Sequence, residues 1–211
     1  MEQVTEPMKK QMKRRLLTAG LILAASVWIA TVAAAYEAIR RFETTPGLPA
    51  SAPRTWPAAT AVTRTPGTWS LVMLVHPHCS CSRASVTELA EIVEKSRRDV
   101  QPTVLVYRPQ GMAAGWERTS VYDAATRIRR ARVLLDRDGV EARNFGGFTS
   151  GQTFLYDDKG RLRFAGGVTS LRGHAGLNSG RMDVIRIANE RTGNGSHPVF
   201  GCAITTRGET R

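Results

Sequence analysis

Residues 69–89 read WSLVMLVHPHCSCSRASVTEL. The first seven carry no charge and a single polar side chain, the pattern of a short strand buried on both faces of a sheet. Beyond them Val86, Leu89, Ala90 and Val93 recur at helical spacing, with Glu88, Glu91, Glu94 and Lys95 opposite, so 83–98 reads as an amphipathic helix. Between strand and helix lies His76-Pro77-His78-Cys79-Ser80-Cys81, which holds two of the three cysteines and two of the four histidines in the chain. A helix N-terminus presents free N–H groups and the positive end of the macrodipole, both of which favour a thiolate. Paired cysteines at such a turn are seldom packing residues, so the hexapeptide is the first candidate for chemistry.

Working outward, the pattern stays that of an alternating α/β domain over 69–211. Residues 103–107 (TVLVY) predict a second strand, 116–130 a helix, and 132–135 a third strand ending in the turn Asp136-Arg137-Asp138-Gly139. Residues 140–145 predict one or two helical turns. Strands at 153–156 and 162–164 flank Asp157-Asp158-Lys159-Gly160, a strong hairpin signal. A glycine-rich loop spans 166–180, a closing helix 181–191, and Cys202 lies in the tail beyond it. The expected fold is a central mixed sheet flanked by helices.

The amino-terminal side has a different character. Lys9, Lys10, Lys13, Arg14 and Arg15 precede residues 16–36, which contain neither charge nor proline. At 1.5 Å per residue that run spans roughly 32 Å, the thickness of a bilayer core. The basic segment 1–15 predicts a cytoplasmic N-terminus, a transmembrane anchor over 16–36, and a domain in the periplasm or another extracytoplasmic space, held at the inner membrane. A secretory signal ending at Ala33-Ala34-Ala35 is the competing reading, and both readings export the domain. An exported domain permits cysteine redox chemistry. Residues 37–68, rich in Pro, Ala and Thr from 43 on, predict a semi-rigid linker with little to bury.

The formal net charge is +12, of which residues 69–211 contribute 21 basic and 14 acidic side chains, scattered rather than run together. A nucleic-acid site would want a basic patch with interleaved aromatics, so none is expected. Asp136 and Asp138 with Gly139 make a turn rather than a cation loop. The loop around Arg172-Gly173-His174-Ala175-Gly176 has no phosphate-binding signature.

Cys79 through Leu89 (CSCSRASVTEL) resembles the active-site helix of membrane-anchored, TlpA-type thioredoxins, which runs CxxCRAExPEL. Arg83, Ala84, Glu88 and Leu89 fall in register when Cys79 takes the place of the first, nucleophilic cysteine. Residues 133–167 resemble the second half of that family, where an Asp-x-Asp-Gly turn precedes a short helix and a hairpin. The RedB-type branch of anchored thioredoxin-like proteins is the nearest likeness. The resemblance covers about 69–192 and implies a thioredoxin-like fold and thiol–disulfide exchange without a cofactor. Two departures stand out. Ser82 occupies the second cysteine's place, so the motif is CxC. Gly151 stands where the family carries a proline opposite the active site, in the segment Thr149-Ser150-Gly151-Gln152-Thr153.

The expected chemistry has Cys79 attacking an exported partner's disulfide, Cys81 resolving the mixed species, and His78 stabilising the thiolate. Gly151, Gln152 and His174 are expected to wall the groove. Cys202 is an alternative resolving thiol if the tail folds back, and otherwise a small buried hydrophobe. A rival reading uses Cys79, Cys81 and His174 as soft ligands for copper, in the manner of Sco-type chaperones. A third is an interaction domain with unused thiols.

Overall fold

The computed structural model describes residues 5–96 and 100–204. The first residues of the predicted basic tail (1–4), the end of the helix predicted over 83–98 (Arg97, Arg98), and residues 205–211 of the predicted domain lie outside the described residues. The chain divides into two units, Met1–Phe42 and Glu43–Arg211.

The first unit is formed by a single helix, α1 (Thr5–Thr44). Among the described residues one helix is long and apolar enough to cross a membrane, and it is this one, over Met8–Thr44. Thr18, Ser26 and Thr31 each donate a side-chain hydrogen bond to the carbonyl four residues back, at 2.9–3.0 Å. The polar side chains inside the apolar stretch are thereby satisfied within the helix, as hydrocarbon surroundings require.

The second unit is built on a five-stranded sheet of order β3-β2-β1-β4-β5. Its elements are β1 (Trp69–Val75), α2 (Ser80–Lys95), β2 (Val100–Arg108), α3 (Ser120–Thr126), β3 (Arg132–Arg137), α4 (Val140–Asn144), β4 (Thr153–Tyr156), β5 (Leu162–Gly166) and α5 (Ser179–Glu190). Strands β1, β2 and β3 are parallel, β4 runs antiparallel to β1, and β5 runs antiparallel to β4. With the cysteine motif at the junction of β1 and α2, this is a thioredoxin-like fold. Every residue of central β1 is buried, as its unbroken apolar run requires. Leu71, Met73 and Val75 face one cluster with Val86, Leu89, Ile92, Val184 and Ile187 from α2 and α5. Val72 and Leu74 face a second with Phe145, Phe154 and Tyr156.

That second cluster corrects the linker expectation. From Glu43 on, the predicted spacer belongs to the compact unit. Trp56 packs edge-on against Phe145 and Tyr156, each with ring centroids 5.1 Å away, and Val62 is buried in the same cluster. Backbone bonds fasten the segment: Trp56 N–H donates to Gly160 O and Leu162 N–H to Arg54 O, both at 2.8 Å. Arg132 reaches Thr63 O at 3.0 Å, and Ala61 N–H reaches Glu141 Oε1 at 3.0 Å. A short helix such as α4 leaves the apolar sheet face half bare, and the proline-rich segment covers the remainder.

The helix predicted over 116–130 shrinks to α3. Thr119 caps it by accepting from Tyr122 N–H and spends its own hydroxyl proton on Pro77 O at 2.9 Å, which draws residues 116–119 towards the cysteine turn. Helix α2 starts three residues earlier than its periodicity indicates, at Ser80, which places Cys79 at the N-cap.

Candidate active site

Cys79 closes a tight turn after β1. Its N–H donates to His76 O at 3.1 Å, and its own carbonyl accepts from Ser82 N–H at 3.0 Å. Its backbone is extended, and its side chain is 3% exposed. The turn is held from across the sheet by Ser150, whose Oγ accepts from His76 N–H at 2.8 Å and meets Ser82 Oγ at 2.6 Å. Ser82, in the place of the usual second cysteine, is thus a hydrogen-bonding post for the loop opposite.

The tail folds back over this turn. Ser150 N–H donates to Cys202 O and Ile204 N–H to Phe148 O, both at 2.8 Å, and Thr149 pairs antiparallel with Ala203. Arg172 donates to Gly201 O. These contacts bring Cys202 Sγ to 2.6 Å from Cys79 Sγ, inside the van der Waals separation of two sulfurs, with both cysteines free in this structure. Three cysteines therefore share one site.

Their electrostatics differ. Burial pushes the Cys79 thiol up, but hydrogen bonds from the Cys202 thiol and backbone, the Ser82 hydroxyl and the Cys81 N–H outweigh it, so the net shift is down. Burial, followed by the negative charge and hydrogen bonding of Cys79, raises Cys81, with Arg172 opposing. The same causes push Cys202 up to about 12. Of the three, Cys79 is shifted towards the thiolate, and Cys81 and Cys202 towards the protonated thiol.

The predicted site residues are distributed unevenly around this centre. His78 is exposed and turned away from the sulfur: its Nε2 engages Trp116 O at 2.9 Å and its ring lies 4.4 Å from that of Trp116. Against burial, bonds from the Cys202 thiol and backbone, the Ser82 hydroxyl and the Cys81 N–H, with none from His78 among them, are what lower the Cys79 pKa. His76 is half-buried, and burial followed by the neighbouring His78 lowers its pKa. Gly151 does line the turn, with φ +89°, and a Cβ there would meet Ser85 Oγ at 2.6 Å. Gln152 is fully buried, and its Oε1 accepts from Phe148 and Thr149 N–H at 2.7 and 3.1 Å, so it shapes the loop from behind. His174 lies exposed on its loop with Nδ1 on Arg172 O at 2.8 Å. The copper set Cys79, Cys81 and His174 is accordingly not gathered. Among the described residues no group of three or more His, Cys, Asp or Glu side chains is disposed to hold a metal ion. Sequence reasoning assigns no role at the site to Ser150, Ser82 or Arg172. The register that puts Ser82 in a cysteine's place was the signal available for one of them.

Behind the cysteines, Glu88 of α2 is buried and accepts from Arg181 Nη1 at 2.8 Å, Asn178 Nδ2 at 3.1 Å and Gly176 N–H at 2.6 Å. This ties the loop before α5 to the active-site helix.

A thioredoxin-like domain with its cysteines gathered at the first turn of α2 is the class that fold and site define. No family model and no curated protein matches the chain. Among solved structures it is similar to an uncharacterized conserved protein from Geobacillus kaustophilus, at 13% identity and TM-score 0.53 over 80% of this chain and 97% of that one. It is also similar to a hypothetical protein from Sinorhizobium meliloti 1021, at 17% identity and TM-score 0.51 over 76% and 93%. A secreted Mycobacterium tuberculosis disulfide oxidoreductase matches at 12% identity and TM-score 0.40 over 58% and 81%. At such identities the likeness is one of fold.

Proposed function

We propose that this protein is a membrane-anchored thiol–disulfide exchange protein acting on exported cysteine-containing partners. The basic residues Lys9, Lys10, Lys13, Arg14 and Arg15 in the amino-terminal part of α1 support an N-terminus in the cytoplasm and a domain in the periplasm. The observation that carries the reading is the unequal stabilisation of Cys79 against Cys202 across 2.6 Å. Cys79 thiolate attacks one sulfur of a partner disulfide, forming a mixed disulfide and releasing the partner's other sulfur as a thiolate, which takes a proton from solvent. The Cys202 thiol then gives up its proton and attacks Cys79 Sγ, forming a Cys79–Cys202 disulfide and releasing the partner's second thiol. The partner is reduced by two electrons and the chain is oxidised by two. Geometry favours Cys202 over Cys81 as the resolving thiol. Cys79 and Cys81 are two residues apart at a helix start, where a ring closed between them departs from relaxed disulfide geometry.

The test is insulin reduction by the full chain in detergent with single Cys→Ser variants, followed by peptide mapping of the oxidised protein. Cys79→Ser abolishes turnover, and Cys202→Ser accumulates a mixed disulfide. Mapping finds Cys79 joined to Cys202 with Cys81 free. Full turnover by Cys79→Ser would overturn the reading, and a Cys79–Cys81 bond would reassign the resolving role to Cys81.

A further inference from the structure

The tail is fastened in two stretches. Up to Val199 it is anchored: Gly167 N–H donates to His197 O at 3.2 Å, Gly47 N–H donates to Val199 O at 2.8 Å, and Val199 is buried. From Gly201 on, two strand-type backbone bonds, the Arg172 contact to Gly201 O and the side chain of Ile204, 8% exposed, hold the described part of the segment. The strand-type groups it occupies, Ser150 N–H and Phe148 C=O, are those an added extended chain uses to dock on a sheet margin. Its sulfur occupies the approach to Cys79 Sγ. An incoming disulfide has to bring its own sulfur to that same place, because exchange proceeds by direct attack of thiolate on disulfide sulfur. Gly201 is fitted to the arrangement, since a Cβ there would lie far inside contact distance of Ser150 O.

We propose that residues 200–204 are a tethered strand that fills the polypeptide-binding margin of the active site, so that a partner reaches Cys79 only after the tail has swung away at 199–201. The partner class that fits the vacated margin is an extended segment whose cysteine follows a residue as small as glycine. This rests on the exchange reading above. Return of the tail then serves two ends. Cys202 attacks the Cys79 sulfur of the mixed disulfide, transferring its proton to the departing partner thiolate, and the strand of residues 202–204 retakes the backbone groups the partner held. Resolution and release of the partner are one motion.

The test uses the reduced full chain in detergent, with iodoacetamide as probe and mass spectrometry to locate the label. Labelling runs over a pH series, so that rates are compared on the high-pH plateau where Cys79 is thiolate with or without its Cys202 bonds. Gly201→Ala keeps all three cysteines and expels the strand. Ile204→Pro, which removes the N–H donated to Phe148, loosens it by an independent route and stands in if Gly201→Ala fails to fold by circular dichroism. Both variants alkylate Cys79 at least about fivefold faster than the unaltered chain, because each loses at least one of the strand-type bonds. Unchanged Cys79 labelling in a folded variant overturns the gate, whatever insulin reduction shows. Faster labelling without insulin reduction by any of the proteins overturns the exchange reading while the gate stands.

Discussion

Replacing Arg181 by methionine tests what holds the active-site helix to the loop beside it. Glu88 is 1% exposed, and the guanidinium 2.8 Å from its carboxylate is its charged partner among the contacts described above. Methionine keeps the aliphatic bulk and removes the charge, leaving a buried carboxylate with two neutral donors, Gly176 N–H and Asn178 Nδ2. Breaking a buried pair on one side costs roughly 3–5 kcal/mol. The two remaining donors put the expectation at the lower end, about 3 kcal/mol. For a unit of this size each kcal/mol moves Tm by about 2–4 °C, so the fall is roughly 6–12 °C. Urea unfolding of the full chain in detergent, followed by tryptophan fluorescence, reads the loss as a lower midpoint at unchanged slope. Adding Glu88→Gln removes the stranded charge while leaving an acceptor for Gly176 N–H, and it restores more than half of the loss. An Arg181→Met midpoint equal to that of the unaltered chain, or a double variant no better than the single one, would refute the reasoning.

Two further outcomes are expected of the fold. Trp56→Ala lowers stability by about 2–4 kcal/mol in the same urea experiment, since the ring bridges Phe145 and Tyr156; a loss below about 0.5 kcal/mol would return residues 43–68 to the status of a spacer. Burial raises the Asp157 carboxyl, but bonds from the Arg161 N–H and guanidinium and the Lys159 N–H outweigh it and lower its pKa. The stability it contributes is therefore complete above the ordinary carboxyl value of about 4 and lost as pH falls through the depressed one. The midpoint difference between the unaltered chain and Asp157→Asn should narrow between neutral pH and about pH 2.5, and a constant difference would contradict the assignment.

Much of the fold was legible in the chain because it is written in local periodicity. The apolar run of β1, the helical stripe of α2 and the Asp-Asp-Lys-Gly turn each declare an element without reference to any other. Boundaries were less legible where capping overrode periodicity, as at Thr119, whose hydroxyl answers to Pro77 in a different part of the chain. The site was legible in part. Cys79 and the margin at Gly151 follow from register, whereas the place of His78 followed from adjacency, and adjacency does not foresee that Trp116 engages the ring.

By itself the sequence determined a helix fit to cross a membrane, an α/β domain, and a cysteine at a strand-to-helix turn. Only the tertiary structure decided which sulfur faces Cys79, for Cys202 lies 123 positions away in a tail with no periodic signal. It also decided that the proline-rich segment is part of the core and that Ser150 braces Ser82 across the sheet. The reason is physical. Periodicity states which face of an element must leave water, but not what will cover it, and the contacts that build this site are made by loops, whose backbone bonds are completed by distant partners.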